Sequence, residues 1–472
     1  MTRNCCFILM FCSVIPVSMA QKLTLDPAVD ERTELIGIVF RLAGAEEYSG
    51  TRINQYSRAI DAWFRPYKDE EVIRLARLLY RKNGVSFDAV MSMAIHLEMI
   101  GGSFSLVKNV EAKSLDSRWG NDPAQFITLL NVFYRESAFH KFFSENRPLY
   151  SLTEQRFSET IRSIDLSWYG KFYGEQPKGS FNLILSLVNG GANYGVKIKR
   201  HDGSEDMFSI IGVWQKDSLD FPVFSPDEYN STIIHEFNHS FSNHLVDQAY
   251  PEMSQASEAV FKLVKGKMES QAYNMPVIMQ YETMVRASTI LYFIDHNTGK
   301  PEMNKMILKE KHMNGFVWID SLVGLLVRYR QARNRYPALK DFMPRVVSMV
   351  NSLNLADLQE DANCKCSARI DSFSIVNKSR KVAPGIKELT IYFNKPMSGS
   401  YGMSRVGGRN RHYPKIISVG WASLQKKALT VKMKLEPGTG YTIKFPSCFF
   451  QDERYCEMAE TYLLNFKTMN KN

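Results

Sequence analysis

Cysteine is scarce in this chain of 472 residues, and its placement matters more than its amount. Of seven cysteines, three (Cys5, Cys6 and Cys12) fall in the first twelve residues. The other four, Cys364, Cys366, Cys448 and Cys456, are too few to staple a chain of this length. A disulfide-dense scaffold is therefore excluded, and the fold must rest on hydrophobic cores. Long apolar runs are also missing. Beyond Val17 the best is Phe316 to Val327, which Asp320 interrupts and which falls short of the ~20 residues a helix needs to cross a bilayer. No repeat of fixed period and no low-complexity tract is found, which excludes solenoid, collagen-like and disordered chains.

Positive charge is lacking where a nucleic-acid binder would carry it. The net charge is +10, yet residues 367–472 hold 18 Lys/Arg against 7 Asp/Glu, so the rest of the chain is close to neutral. A surplus confined to one end argues against nucleic acid as a partner of the whole molecule. It gives the tail a surface suited to anionic envelope glycans or lipids, although a solvated charged face has the same composition.

What is present begins with Met1 to Ala20. Arg3 supplies a positive start, Phe7 to Val17 an apolar stretch, and Ser18 and Ala20 the small residues of a cleavage site before Gln21. This is the pattern of a secretory signal and predicts export, whether to a periplasm, a cell surface or the medium. An exported chain with four remaining cysteines has room for two disulfides. Cys448–Cys456 is the expected bridge because the loop between them is short. The C-x-C and C-x7-C spacings do not match structural zinc sites.

Hydrophobic period divides the remainder. From Glu31 to Asp165 the pattern is helical, with Leu35, Val39 and Leu42 on one face and Val72, Leu75, Leu78 and Leu79 on another. Phe181–Val188 and Ala192–Ile198 read as two strands of a hairpin around Asn189-Gly190-Gly191, and Met207–Trp214 as a third strand. Helical period returns from Ser231 to Leu353. In the tail, Leu389, Ile391 and Phe393, then Leu429, Val431, Met433 and Leu435, then Tyr441, Ile443 and Phe445 alternate with polar residues. The expected fold is α+β: a mostly helical domain with a small sheet over 21–366, then an all-β sandwich over 367–472.

One motif carries chemistry. His235-Glu236-Phe237-Asn238-His239 is an H-E-x-x-H match, which on a helix turns both imidazoles to one face with the glutamate beside them. Ile234, Phe237, Phe241 and Leu245 form a narrow apolar stripe at helical spacing, and His235 and His239 flank it. Ser231 is the expected N-cap. Such a pair points to zinc, with Glu236 as general base. Three protein ligands are usual in catalytic zinc sites, so a third is owed. His244 lies well round the helix from the pair, and Leu245 stands where a third histidine ten residues after the first would fall. A downstream carboxylate remains. Glu258 has mostly polar neighbours at helical spacing, whereas Glu282 has Ile278, Met279 and Val285. A carboxylate among apolar neighbours needs a counter-charge, which favours Glu282 as ligand; Arg286, four residues on, offers it a plain ion pair instead.

Zinc proteases commonly hold substrate as an added strand on a sheet edge, and Asn193-Tyr194-Gly195 is the candidate for it, with an ordinary glycine turn as the plainer reading. Tyr281 and His296 are the candidates to stabilise an oxyanion.

The H-E-F-N-H-S-F helix, the Gly-rich strands before it and Tyr281-Glu282-Thr283-Met284-Val285-Arg286-Ala287 resemble gluzincin-type metallopeptidases. Residues from about Leu35 to Leu353, including Trp63-Phe64-Arg65-Pro66-Tyr67-Lys68-Asp69, resemble an exported bacterial family of unknown function with a zincin-like domain. Phe393-Asn394-Lys395-Pro396-Met397 and Pro437-Gly438-Thr439-Gly440-Tyr441 resemble the bacterial Ig-like domain. The resemblance implies an exported zinc metallopeptidase acting on peptides or proteins. A catalytically silent surface-binding protein on the same scaffold, docking through its basic Ig-like module, is the rival. The intact Glu236 favours the enzyme, since zinc binding alone does not need it.

Overall fold

Three hydrophobic cores organise the chain in this computed structural model, which describes residues 25–120, 123–175, 179–296, 299–407 and 412–470. The signal-like segment 1–20 lies outside the described residues. The first core joins N-terminal helices, among them Glu31–Ala43, Asn54–Phe64 and Pro123–Glu136, to a four-stranded sheet. Leu35 and Val39 of the expected stripe are fully buried, whereas Leu78 is exposed and Leu79 takes the inward place beside it. Phe126, Phe133, Phe139 and Phe142 pack into the same core. Glu34 is buried with them. It accepts hydrogen bonds from the Ser186 hydroxyl, the Leu187 amide and the Tyr56 hydroxyl, which ties the first helix to the end of a strand.

The sheet departs from the expected hairpin. Its spatial order is Ala28–Val29, Phe181–Ser186, Glu205–Gly212, Tyr194–Lys199. Phe181–Ser186 and Tyr194–Lys199 are not neighbours. Glu205–Gly212 lies between them, parallel to the first and antiparallel to the second. Gly190 has φ +61°, and a Cβ there would stand 2.7 Å from the Gly50 carbonyl oxygen, so this glycine serves close passage over another loop rather than a two-residue turn. The crossing leaves Tyr194–Lys199 at one edge of the sheet, paired on one side only within it.

A helix of 44 residues, Pro226–Glu269, runs from the first core into the second. Its start is earlier than the sequence suggests. Ser225 is the N-cap, Pro226 occupies the first turn, Asp227 and Glu228 complement the dipole, and Ser231 is interior. Tyr229 and Ile233 belong to the first core. Ile234, Phe237, Phe241 and Leu245 belong to the second, where Pro276–Asp295, Ile319–Gln331 and Leu339–Asn351 pack beside them. The H-E-x-x-H turn therefore sits at the seam between two cores.

Helix gives way to strand between Ala362 and Lys365. The tail holds a four-stranded antiparallel sheet (Ile370–Phe373, Gly385–Phe393, Ala428–Leu435, Lys415–Trp421) and a three-stranded one (Ser379–Val382, Tyr462–Thr468, Gly440–Phe445). Leu389, Ile391, Val431 and Met433 from the first meet Tyr441, Ile443, Leu464 and Phe466 from the second in the third core. The disulfide is Cys364–Cys456, not Cys448–Cys456. Lys365–Cys366 pairs with Glu457–Met458 as parallel strands, which brings Cys364 and Cys456 together, while Cys448 is exposed and free. Among the described residues no helix is long and apolar enough to cross a membrane.

Candidate metal centre

The helix Pro226–Glu269 carries His235 and His239 one turn apart, with ring centroids 5.1 Å apart. The neighbouring helix Pro276–Asp295 brings Glu282 against them. His235 Nε2 lies 3.4 Å from Glu282 Oε2, and His239 Nε2 lies 3.4 Å from Oε1. One donor atom from each of the three residues falls within 4.8 Å of the others. Glu282 is 7% exposed, and its Oε2 is buried without a hydrogen bond. A buried carboxylate oxygen without a hydrogen bond beside two imidazoles is a donor set that fits a metal cation.

The ligand orientation has further support. His239 Nδ1 lies 3.1 Å from Asn243 Oδ1, and an Nδ1–H donating there leaves Nε2 free as a ligand. Asn238, fully buried between the two histidines, receives the Tyr173 hydroxyl proton on Oδ1 (2.8 Å) and donates through Nδ2 to the Ile234 carbonyl and Thr289 hydroxyl. It thereby fixes the phase of the motif helix against two neighbours. Sequence reasoning passed over both asparagines, although the spacing of Asn243 four residues after His239 is the signal for one of them.

Burial pushes the Glu282 carboxyl upward, but His235, His239 and Arg286 around it outweigh that and hold it well below the usual carboxylate range. Glu236 is half-buried. Burial raises its carboxyl, His239 and Arg286 pull the other way, and the charge of Glu282 adds to the rise. The edge strand crosses directly above it: a Cβ on Gly195 would stand 2.8 Å from Glu236 Oε2. Glycine is what lets the strand approach the carboxylate so closely.

The remaining candidates divide. Glu258 is exposed and sits on the same helix as the histidines, 19 residues beyond His239, or about 28 Å along the axis, so it does not reach them. The Glu282–Arg286 contact exists too, at 3.4 Å. Tyr194 turns its side chain into the first core, and Asn193 accepts the Gly212 amide, so neither side chain is directed at the cluster. The Tyr281 hydroxyl donates to Asp247, two turns past His239, because one residue before Glu282 points about 100° away. His296 ends the helix that carries Glu282, about 21 Å further on, stacked on Tyr292 and near Asp165. Neither Tyr281 nor His296 is brought to the cluster. His244 faces Glu175 instead.

Taken together, fold and site define a mixed α/β protein in which two partly exposed histidines and one buried carboxylate cluster beneath a sheet edge. Residues 25–349 match the family described as domain of unknown function (DUF4932), and the chain belongs to that family. No curated protein matches it. Two solved structures are similar over part of their length. The crystal structure of the S-layer protein rSbsC(31-844) is 16% identical over 48% of this chain and 33% of that one, with a TM-score of 0.16. The structure of surface layer protein SbsC, domains 1-6, is 18% identical over 55% of this chain and 35% of that one, again with a TM-score of 0.16. The chain spans about a third of the length of either, and at that TM-score the likeness carries no statement about fold.

Proposed function

We propose that the protein is an exported zinc-dependent peptidase, with a zincin-like catalytic domain and an Ig-like tail module. The observation that carries this reading is the convergence of His235, His239 and Glu282 beside Glu236, directly under the Gly195 strand edge. His235, His239 and Glu282 would hold zinc, which supplies a polarised carbonyl and an acidified water when bound. Glu236 takes a proton from the attacking water on its carboxylate and returns it to the leaving amine. The strand Tyr194–Lys199 orients an extended peptide through backbone hydrogen bonds, which makes binding largely independent of substrate sequence. Gly195 keeps the space between that strand and Glu236 open.

The test is digestion of a mixed peptide library by the mature protein and by Glu236→Gln. The amide cannot accept the water's proton, so the variant keeps its fold and its zinc and loses a factor of about 100 to 10,000 in rate. Equal cleavage by both proteins would assign the hydrolysis to another site. A wild type that binds zinc and cuts nothing would leave the surface-binding protein as the function.

A further inference from the structure

Glu282 has a competitor for its carboxylate on its own helix. Arg286 lies one turn on, and an i,i+4 pair of this kind ordinarily closes. A closed, bidentate guanidinium would occupy the oxygens that a cation needs. Here the ion pair is loose: Arg286 Nη2 stands 3.4 Å from Glu282 Oε2, and that oxygen accepts no hydrogen bond. The same guanidinium makes its close contact elsewhere, with Nη1 2.7 Å from Glu310 Oε2. Nη2 donates at 3.0 Å to the Tyr273 hydroxyl, and the cation lies 4.7 Å from the centre of the Phe316 ring.

Glu310 is itself held in place. It lies in a five-residue π-helical turn, Lys309–Met313, and its Oε2 also accepts from Asn314 Nδ2 at 2.8 Å. The turn follows the helix Lys300–Leu308 and sets Glu310 opposite Arg286. The side chains of Arg286 and Glu310 are 14% and 17% exposed, so water screens the pair little.

Resting on the metal reading above, we propose that Glu310 is a positioning residue for the metal centre: it draws Arg286 away from Glu282 and so leaves the Glu282 carboxylate free to bind the cation. The distances decide the direction of the effect, since Arg286 is closer to Glu310 by 0.7 Å than to Glu282. Glu310 acts through Arg286 and is not placed in contact with the metal.

The experiment is a zinc-affinity measurement by chelator competition on the full mature chain, paired with the thermal midpoint of the zinc-free protein. Glu310→Gln removes the charge that holds Arg286, so Arg286 closes on Glu282 and zinc affinity falls by about 10- to 100-fold, the range of effects on residues that support metal ligands. The double variant Glu310→Gln/Arg286→Met removes the competitor as well and recovers affinity toward wild type. A purely structural role for Glu310 predicts no such recovery. Wild-type affinity in Glu310→Gln, or a double variant as weak as the single one, would overturn the inference. If Glu310→Gln does not fold, Arg286→Met alone reads the same claim: it keeps wild-type affinity, and a large loss there would overturn it. A wild type that takes up no zinc overturns the metal reading itself, a failure distinct from both.

Discussion

Glu282 has apolar neighbours at helical spacing, and Glu258 has mostly polar ones. In the structure, Glu282 is buried against both imidazoles from the neighbouring helix, and Glu258 is exposed far along the histidines' own helix. Glu282→Gln should therefore weaken zinc binding by tenfold or more, about the cost of losing one charged contact of 1.4 kcal/mol, while Glu258→Gln should leave it unchanged. Chelator competition on the two variants reads this, and the reverse order would mean that the ligand lies elsewhere. Tyr281 and His296 were not so legible. Each is close to Glu282 in sequence, but one residue of helical rotation turns the first toward Asp247, and four helical turns carry the second out of reach. The buried Asn238 went unread for another reason, since its value depends on which helices stand opposite it.

At the scale of elements, periodicity carried what it can carry. Ile234, Phe237, Phe241 and Leu245 are all buried, as their spacing implies, and so are the alternating residues of the tail strands. Pairing was beyond it. Asn189-Gly190-Gly191 has the composition of a hairpin turn, but a strand that arrives later in sequence inserts between its flanks, and local composition contains no term for that. The insertion leaves Tyr194–Lys199 as an edge over Glu236. Gly195→Val places a branched side chain where a Cβ already comes within 2.8 Å of Glu236 Oε2. It should spare zinc binding and lower peptide cleavage by about a hundredfold, as a displaced catalytic group does. Steady-state kinetics with a library-derived peptide measures it. Unchanged kcat/KM would remove the strand edge from the account.

Across the whole molecule, three cores meet at two junctions. The seam between the first and second holds the H-E-x-x-H turn. The junction with the tail is fastened by Cys364–Cys456 and by Glu457, which contacts Lys365 at 2.8 Å and Lys267 of the long helix at 3.6 Å. The cysteine count pointed to a bridge, but the pairing follows from two short strands 92 residues apart, which sequence spacing does not encode. Peptide mapping of the unreduced protein should recover Cys364 linked to Cys456, with Cys366 and Cys448 free. Cys364→Ser should lower stability by about 2 to 4 kcal/mol in denaturant unfolding, the usual cost of losing a bridge. A Cys448–Cys456 peptide would contradict this junction.

The metal centre is the claim on which the rest depends, and metal content measures it most directly. The mature protein, purified without chelator and assayed by elemental analysis, should carry about one zinc per chain, as a single catalytic site requires. His235→Ala combined with His239→Ala should reduce that to background while circular dichroism keeps the wild-type spectrum. A wild type free of zinc, or a double variant that retains its full complement, would contradict the account.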